Sequence, residues 1–311
     1  MTYLLGIDGG GTQTTAWISD QNLRVAARVQ SGPSNPVKVG FKAAQTELAK
    51  AYRKALREAR IPPAAMDAVC AGLAGGDNPE VKIKMLRWMR KSIPARAHHI
   101  TTDAEVTLVA AMGNSEGIIV IAGTGSIAFG RDRNGGVIRV GGWGNQFDDD
   151  GSGYDIGRRA IAAALRAHDG RGTPTSLSHA ICRELRLDKI TELVPLQLTV
   201  QQISALFPLV QQQAVAGDAI ARELCRDAAD YLAELANTII SRLHRRRADI
   251  PVVCSGGVFR SSEIIRRAFT RRVHKYAVRA RVSLLDREPV EGALLLARQL
   301  PTAQTRTQVL R

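Results

Sequence analysis

The stretch Leu4-Leu5-Gly6-Ile7-Asp8-Gly9-Gly10-Gly11-Thr12-Gln13-Thr14-Thr15 decides the fold, because it predicts a strand, a glycine turn and a second strand. The apolar run ends at Asp8, and the three glycines allow positive φ angles and a close approach of backbone N–H groups to a ligand. Those N–H groups, with the hydroxyls of Thr12 and Thr14, suit phosphate oxygens, whereas the Asp8 carboxylate suits a hydrated Mg²⁺. A tight hairpin without a ligand is the alternative interpretation of this stretch alone.

This turn belongs to neither of two common nucleotide-binding motifs. No lysine follows the glycines, so the stretch is not a GxxxxGK[ST] loop, and no helix begins there as a dinucleotide-binding fingerprint requires.

The composition is typical of a soluble globular protein that is large enough for two domains. The chain has 311 residues, of which 45% are hydrophobic and 23% are charged. No apolar run approaches the roughly 18 residues that a membrane span needs. The N-terminus begins directly on a predicted strand, without the basic and apolar regions of a signal peptide. We therefore expect a cytoplasmic protein with no membrane partner.

The net charge of +14 is high, and much of it lies late in the chain, in residues 242–247 and 266–281. Such a charge can attract nucleic acid or anionic substrates. However, aromatic residues make up only 5% of the chain and do not alternate with the basic ones, which disfavours a stacking surface for single strands. The sequence predicts a solvated basic surface and no specific nucleic-acid partner, with a nucleic-acid-binding module as an alternative.

The four cysteines are far apart and form no CxxC pair; they are Cys70, Cys182, Cys225 and Cys254. Cys70 and Cys254 lie in apolar strand-like runs, and Cys225 lies on a helical face. We therefore predict small buried hydrophobic residues rather than ligands of zinc or of an iron–sulfur cluster.

The two halves of the chain share one pattern of strands and turns. In the first half, strands are predicted at residues 4–8, 14–18, 22–29, 68–73 and 98–102, with helices at 41–60, 79–91 and 104–112. In the second half, the apolar run Ile118–Ala122 is followed by Gly123-Thr124-Gly125-Ser126 and two more strands. Repeated strand–turn–strand units predict two sheets with helices packed on them and a cleft where the turns face each other. The boundary is expected near residues 113–117.

The remainder of the chain adds mostly helices. Residues 156–165, 200–216 and 218–246 are predicted helices, whereas residues 171–195 show only a weak pattern. Residues 252–259 predict a strand that runs into a glycine turn, followed by a helix from Ser262. A strand at 282–285 and a helix at 290–300 follow, and residues 302–311 are polar and expected to be frayed.

Three glycine turns after apolar strands, with an acid at the end of a fourth strand, resemble the actin/hexokinase/heat-shock ATPase superfamily. In this resemblance the first turn corresponds to the phosphate-1 loop, residues 123–126 to the phosphate-2 loop, and residues 254–259 to the adenosine loop. The sequence is most similar to the N-acetylglucosamine kinase group of the BadF/BadG/BcrA/BcrD-type ATPases, over about residues 3–297. The most specific matching pieces are residues 6–12, 102–104, 122–126, 141–144, 149–152 and 255–259.

The resemblance implies an α/β fold of two ribonuclease-H-like (actin-like ATPase) domains that face a central cleft. The N-terminal domain is expected at residues 1–115, completed by the C-terminal helix 290–311, and the C-terminal domain at residues 116–289. Closure of the two domains around a sugar is expected, because excluding water limits wasteful hydrolysis of ATP.

The resemblance also implies a role for each matching residue. Asp103 is the expected general base toward the sugar 6-hydroxyl, and Asp8 is the expected holder of Mg²⁺ through water. ATP phosphates are assigned to Gly10, Gly11, Thr12, Gln13, Thr124 and Gly125, and the adenosine to Gly256 and Gly257. The hydroxyls and the 2-substituent of the sugar are assigned to Asn35, Ser126, Trp143 and Asp149.

Several of these residues also have a simpler interpretation from the sequence. Asp103 can instead be the N-terminal cap of the helix that follows it. Trp143 can be a core aromatic residue, and Asn35, which precedes a proline, can be an ordinary turn residue.

Two departures from the family pattern leave the sugar preference and the phosphate contacts open. The chain has Asp148-Asp149-Asp150-Gly151-Ser152 where the family often has Gly-Asp-Glu-Gly-Ser, and Gln13 occupies a position where Lys, Ser or Thr is common. The reaction class is not affected by either departure.

The leading hypothesis is ATP-dependent phosphorylation of an amino sugar at O6, with N-acetylglucosamine first and glucosamine or N-acetylmuramic acid as alternatives. An ATPase that activates a partner enzyme is a second class of function, but it needs cysteines that hold an iron–sulfur cluster between subunits. The expected partner is an amino-sugar substrate, and a homodimer is the protein assembly considered.

Overall fold

Two mixed five-stranded sheets organise the residues that the computed structural model describes, which are 2–62 and 66–300. The chain divides into two compact units. The first unit combines the residues up to Asn114 with the segment that begins at Asp286, and the second is Ser115–Leu285. This arrangement of sheets confirms the expected α/β class with two actin-like domains.

The sheet of the first unit has the order β3-β2-β1-β4-β5. Its strands are β1 (Tyr3–Gly9), β2 (Thr14–Asp20), β3 (Val25–Ser31), β4 (Met66–Leu73) and β5 (Ala97–Thr102). Strand β1 is antiparallel to β2 and parallel to β4, which in turn is parallel to β5. The carboxyl ends of β1, β4 and β5 therefore lie at one edge of the sheet.

Helices cover both faces of this sheet, which explains why every residue of β4 is buried. They are α1 (Pro36–Val39), α2 (Phe41–Ala59), α3 (Pro79–Ser92), α4 (Asp103–Met112) and α12 (Pro289–Gln299). Leu5 and Ile7 of β1 belong to a core shared with α2 and α3. Leu4 belongs to a core on the other face, shared with α4 and α12.

Two glycines let the C-terminal helix α12 pack closely on the first unit. A Cβ on Gly292 would lie 1.8 Å from the carbonyl oxygen of Val106 in α4. A Cβ on Gly6 of β1 would lie 2.9 Å from both Leu294 and the carbonyl oxygen of Val290. The backbone of α12 therefore contacts β1 and α4 at distances that exclude any side chain at these two positions.

The sheet of the second unit has the order β10-β9-β6-β7-β8. Its strands are β6 (Gly117–Ala122), β7 (Ser126–Arg131), β8 (Val137–Gly141), β9 (Pro251–Ser255) and β10 (Arg281–Leu284). Strand β6 is parallel to β9 and antiparallel to β7. The helices are α5 (Gly153–His168), α6 (Leu177–Leu185), α7 (Val200–Ser204), α8 (Phe207–Ala216), α9 (Ala219–Arg242), α10 (Gly257–Ser261) and α11 (Glu263–Tyr276).

The predicted third strand was wrong at its start, because a side chain reorganises the turn before it. The Asp20 carboxylate accepts hydrogen bonds from the backbone N–H groups of Asn22 (2.9 Å) and Arg24 (2.8 Å). Leu23 between them has a φ of +64°, which is incompatible with a strand. Strand β3 therefore begins at Val25 instead of Asn22.

Several helices of the second unit also differ from the prediction. Residues 171–195 contain α6 and a 3₁₀ helix (Ile190–Leu193), and the single helix predicted at 200–216 is two helices, α7 and α8. Helix α9 ends at Arg242, since His244 has a φ of +54°. Helix α10 was not predicted, because the glycine turn after β9 conceals its start. The expected fraying of residues 302–311 concerns a segment outside the described residues.

The cysteines behave as small hydrophobic residues, as predicted. Cys70, Cys225 and Cys254 are buried and Cys182 is half-buried. Burial raises the pKa of the Cys225 thiol to about 11, which keeps it protonated at neutral pH. Within residues 2–62 and 66–300, none of the helices combines the length and the apolar character that crossing a membrane requires.

Candidate active site

Two carboxylates lie at the edge of the first sheet where its parallel strands end. Asp8 is the penultimate residue of β1, and Asp103 directly follows β5. Burial, together with the charges of Asp103 and Glu288, raises the pKa of Asp8 to about 7. The three acidic groups therefore share one region of this unit, and Asp8 is not stabilised there as an anion.

Asp103 is not the N-terminal cap of α4, so the capping interpretation was wrong. The cap is Thr102, whose hydroxyl accepts a hydrogen bond from the backbone N–H of Glu105 (3.0 Å). The Asp103 carboxylate accepts one from the N–H of Ala104 (2.9 Å). Burial raises the pKa of Asp103 despite the hydrogen bond from Ala104, and the charge of Asp77 raises it further. A carboxylate of raised pKa at a strand end is suited to accept a proton.

The glycines of the first turn provide space rather than unusual backbone angles. Positive φ was expected, but Gly9, Gly10 and Gly11 all have ordinary φ values. A Cβ on Gly9 would lie 2.5 Å from the Ser34 hydroxyl oxygen and 2.6 Å from the Leu73 side chain. The turn closes through a hydrogen bond from the N–H of Gly10 to the carbonyl of Gln13 (2.9 Å).

The hydroxyl of Thr14 is not available to a phosphate, contrary to the prediction. Thr14 is fully buried, and its hydroxyl donates to the carbonyl of Gly32 (2.7 Å) and is hydrogen-bonded to the Ser34 hydroxyl (2.7 Å). Thr12 and Gln13, in contrast, are exposed at the tip of the turn. Thr14 therefore fixes the turn to residues 32–34, while its exposed neighbours can contact a ligand.

Asn35 caps the short helix α1, so it is more than an ordinary turn residue. Its side-chain oxygen accepts a hydrogen bond from the N–H of Val37 (2.9 Å), and the residue is only 8% exposed. The same oxygen would lie 3.4 Å from a Cβ on Gly75, in the turn that follows β4. Asn35 thus lies between the two loops that follow β3 and β4.

In the second unit, the Asp149 carboxylate lies against the turn between β6 and β7. Its Oδ1 accepts a hydrogen bond from the N–H of Ser126 (3.1 Å), and its oxygens would lie 2.9 Å from a Cβ on Gly125. Asp149 has a φ of +69°, an uncommon angle for a residue other than glycine. Two predicted groups, the phosphate-2 turn and the acidic loop, are therefore in direct contact.

Ser126 and Thr124 connect this turn to its surroundings. The buried Ser126 hydroxyl donates to the carbonyl of Asp150 (2.8 Å). At the start of α5, the N–H of Gly153 donates to the carbonyl of Gly123 (2.8 Å), and that of Tyr154 to the carbonyl of Thr124 (3.3 Å). The half-buried Thr124 is thus held through its backbone carbonyl at the junction of β6 and α5.

Gly256 requires glycine both for its backbone angle and for the space beside it. Its φ is +96°, and a Cβ would lie 2.2 Å from the carbonyl oxygen of Ala122 at the end of β6. Gly257 begins α10, and a Cβ there would meet open space. The predicted adenosine turn therefore contacts the strand that leads into the predicted phosphate-2 turn.

Trp143 lies on the surface, so its interpretation as a core aromatic residue was wrong. Its side chain is 68% exposed, and the Arg139 guanidinium stacks over the ring at 4.6 Å from its centre. The N–H of Trp143 donates to the Asp148 carboxylate (3.2 Å). An exposed aromatic ring held beside the acidic loop is a suitable surface for a sugar ring.

The structure thus brings the predicted residues together in two groups, one within each unit. The first contains Asp8, Asp103, Asn35 and the turn at Gly10–Gln13. The second contains Thr124, Gly125, Ser126 and Asp149, with Gly256 against the end of the same strand. Glu288 joins the first group and was missed: it caps α12 together with Glu291, a pattern that indicates only a helix start.

Comparison with known proteins identifies the family of the chain. The sequence model of the BadF/BadG/BcrA/BcrD ATPase family matches residues 5–297. An N-acetylmuramic acid/N-acetylglucosamine kinase of Clostridium acetobutylicum is 31% identical over 96% of this chain and 99% of its own. An N-acetyl-D-glucosamine kinase of Dictyostelium discoideum is 30% identical over 94% and 97% of the two chains.

Among solved structures, a protein of Chromobacterium violaceum, provisionally named an N-acetylglucosamine kinase, superposes with a TM-score of 0.80 at 25% identity. The superposition covers 96% of this chain and 99% of that chain. The likeness in sequence and fold confirms the resemblance found from the motifs. The chain therefore belongs to the BadF/BadG/BcrA/BcrD ATPase family.

Proposed function

We propose that this protein is an amino-sugar kinase that transfers the γ-phosphate of ATP to O6 of N-acetylglucosamine. Membership of the ATPase family implies the use of ATP, and its named relatives are kinases of amino sugars. The observation that carries the proposal is the pair of carboxylates, Asp8 and Asp103, at the strand ends beside the first glycine turn. Glucosamine and N-acetylmuramic acid are the alternative acceptors.

In this proposal Asp103 is the general base. As the bond from the sugar O6 to the γ-phosphorus forms, the bond from that phosphorus to the β-phosphate oxygen breaks, and the O6 proton passes to the Asp103 carboxylate. The raised pKa of Asp103 supports this role, because it makes the carboxylate a better proton acceptor. The backbone N–H of Ala104 holds the carboxylate in a fixed orientation meanwhile.

The residues at the edge of the first sheet fit a magnesium ion. Asp8 is half-buried and lies near two further acidic groups, so a divalent cation would offset an unfavourable concentration of negative charge. The described residues contain no cluster of three or more protein ligands for a metal. Mg²⁺ commonly binds through one or two carboxylates, several waters and substrate phosphates, which is the arrangement we assign to Asp8. When bound, the ion neutralises charge on the phosphates.

The nucleotide contacts are assigned to the glycine turns of both units. We propose that Gly10, Gly11, Thr12 and Gln13 contact phosphates from the first unit, and Thr124 and Gly125 from the second. The exposed tip of the first turn supports the former assignment. The open space at Gly257 supports an approach of the adenosine to the backbone there, beside Gly256.

The sugar is assigned to Asn35, Asp103, Ser126, Trp143 and Asp149. Asn35 uses its side-chain oxygen to cap α1, so its amide nitrogen is the group proposed to contact the sugar. Ser126 donates its hydroxyl to the backbone, and we propose that it mainly orients Asp149. Trp143 supplies an exposed ring, which is suited to the apolar face of a sugar or to its 2-acyl group.

An activating ATPase that carries an iron–sulfur cluster is less well supported. Such a cluster needs accessible thiolates. Cys70, Cys225 and Cys254 are buried, and burial raises their thiol pKa values, which favours the protonated form.

A coupled assay of ADP release tests the proposal with a panel of amino sugars. N-acetylglucosamine, N-acetylmuramic acid and glucosamine are compared with glucose, and the product is analysed by NMR for the phosphorylated position. We expect the largest kcat/KM with N-acetylglucosamine and a 6-phosphate product. ATP turnover that none of these sugars stimulates would refute the proposal.

A further inference from the structure

The side chain of Lys38 lies across the first glycine turn, beside Gly11. A Cβ on Gly11 would lie 3.3 Å from both Cδ and Nζ of Lys38. Since Gly11 has an ordinary φ, its lack of a side chain leaves room for the lysine rather than permitting a special backbone conformation. Gly11 therefore leaves the space that the Lys38 side chain occupies.

The segment that carries Lys38 is fixed to the same turn. The backbone N–H groups of Ser34 and Asn35 both donate to the carbonyl of Gly10, at 3.1 and 3.2 Å. The Asn35 side chain caps α1, and the N–H of Lys38 donates to the carbonyl of Asn35 (3.1 Å). The base of the lysine is thus held by the turn, while its side chain remains exposed to a ligand.

The charges around this turn call for a cation. Gln13, which is exposed at the tip of the turn, is neutral. Asp8, Asp103 and Glu288 lie in the same unit, and their negative charges repel a polyphosphate. Among the described residues, Lys38 forms no ion pair with a carboxylate, so its ammonium charge is available to a ligand.

We infer that Lys38 is a phosphate-binding residue whose ammonium donates to the β- or γ-phosphate oxygens of ATP. It supplies, from α1, the positive charge that the turn itself lacks at Gln13. The inference rests on the proposed use of ATP, but not on which sugar is the acceptor. Lysine is suited to this task because its compact charge on a flexible stem can follow a phosphate group.

Calorimetric titration of the purified full-length protein with ATP, ADP and AMP tests this inference. Lys38→Met keeps the length of the side chain but removes its charge. We expect it to weaken ATP binding by about 10–100-fold, the usual effect of losing a charge-assisted hydrogen bond, and to change AMP binding less than about twofold. The control is Lys42→Met, because Lys42 is an exposed lysine of the neighbouring helix α2 that lies outside the assigned site.

Two further variants make the test specific. Gly11→Ala should shift the Lys38 side chain slightly and lower ATP affinity by less than Lys38→Met does, with little further loss when the two are combined. Adding Gln13→Lys to Lys38→Met should restore much of the ATP affinity, because it returns a cation to the turn.

The outcomes separate this inference from the proposed function. If Lys38→Met binds ATP as tightly as Lys42→Met does, or loses ATP and AMP affinity equally, the inference is wrong. If the wild type binds ATP more tightly than AMP but phosphorylates no amino sugar, the proposed acceptor is wrong. The comparison of Lys38→Met with Lys42→Met still decides whether Lys38 binds phosphate. A wild type that binds ATP no more tightly than AMP overturns the inference.

Discussion

Asp103 lies close enough to Asp8 for its charge to add to the effect of burial, and the pKa of Asp8 rises to about 7. Asp8 lies near the end of β1 and Asp103 directly follows β5, and only β4 separates these two strands in the sheet. The edge of the first sheet that we assign to Mg²⁺ thus disfavours the ionised carboxylate of Asp8 when no cation is bound. Such a site lowers the stability of the fold in exchange for function.

The first prediction is that Asp8→Asn stabilises the metal-free protein at neutral and higher pH. Folding raises the pKa of Asp8 from 3.8 to about 7. The contribution of Asp8 to the free energy of unfolding is therefore fully present below pH 4 and is lost as the pH rises through 7. The neutral amide removes this loss. We expect a gain of about 2–4 kcal/mol at pH 8 and almost none at pH 4.

Urea denaturation in the presence of EDTA at the two pH values measures this difference. Asp20→Asn is the control, because Asp20 is a carboxylate of the same sheet whose hydrogen bonds to the backbone are local. If Asp8→Asn lowers the free energy of unfolding equally at both pH values, the ionised Asp8 carboxylate is not the destabilising group and the prediction is wrong.

The second prediction concerns the contact between Gly125 and Asp149. A methyl group on Gly125 would lie 2.9 Å from the Asp149 carboxylate oxygens, so the carboxylate must move. We expect Gly125→Ala to lower kcat/KM for the sugar by about tenfold or more, since small displacements at a reacting site are costly.

A double-mutant cycle with Asp149→Ala identifies the cause. If displacement of Asp149 explains the loss, the double variant is no less active than Asp149→Ala alone. Losses that multiply would show instead that Gly125 acts independently of Asp149.

The third prediction tests the packing of the C-terminal helix. A Cβ on Gly292 would lie 1.8 Å from the carbonyl oxygen of Val106, which neither helix backbone can accommodate without moving. We expect Gly292→Ala to lower the free energy of unfolding by about 3 kcal/mol or more. Arg298→Ala, at an exposed position of the same helix, is the control in urea denaturation. Equal midpoints for the two variants would contradict the close contact.

The sequence predicted most strands and the edge that carries Asp8 and Asp103, because local patterns determine both. An apolar run such as Ile118–Ala122 identifies a buried strand. Where an acid closes such a run, as Asp8 does in β1, it must lie near the end of the strand. The family resemblance added the pairing of distant turns.

Contacts between distant residues could not be predicted in the same way. Helix α1 has only four residues and no periodicity, so nothing in the sequence indicates that Lys38 crosses Gly11. The position of Glu288 near Asp8 could not be predicted either, because the two residues are far apart in the sequence. A run of glycines also does not show whether the glycines are needed for positive φ angles or because no side chain fits. At Gly9 the reason is that no side chain fits.

The role of Asp103 is the central claim, and one variant tests it most directly. Asp103→Asn keeps the shape and the hydrogen bond from Ala104 but cannot accept the proton of the sugar hydroxyl. Sugar-dependent ADP release and calorimetric ATP affinity are measured on the same preparation. We predict that ADP release falls by about 10³-fold or more, while the ATP affinity changes less than about threefold. Undiminished sugar-dependent turnover in Asp103→Asn would contradict the account.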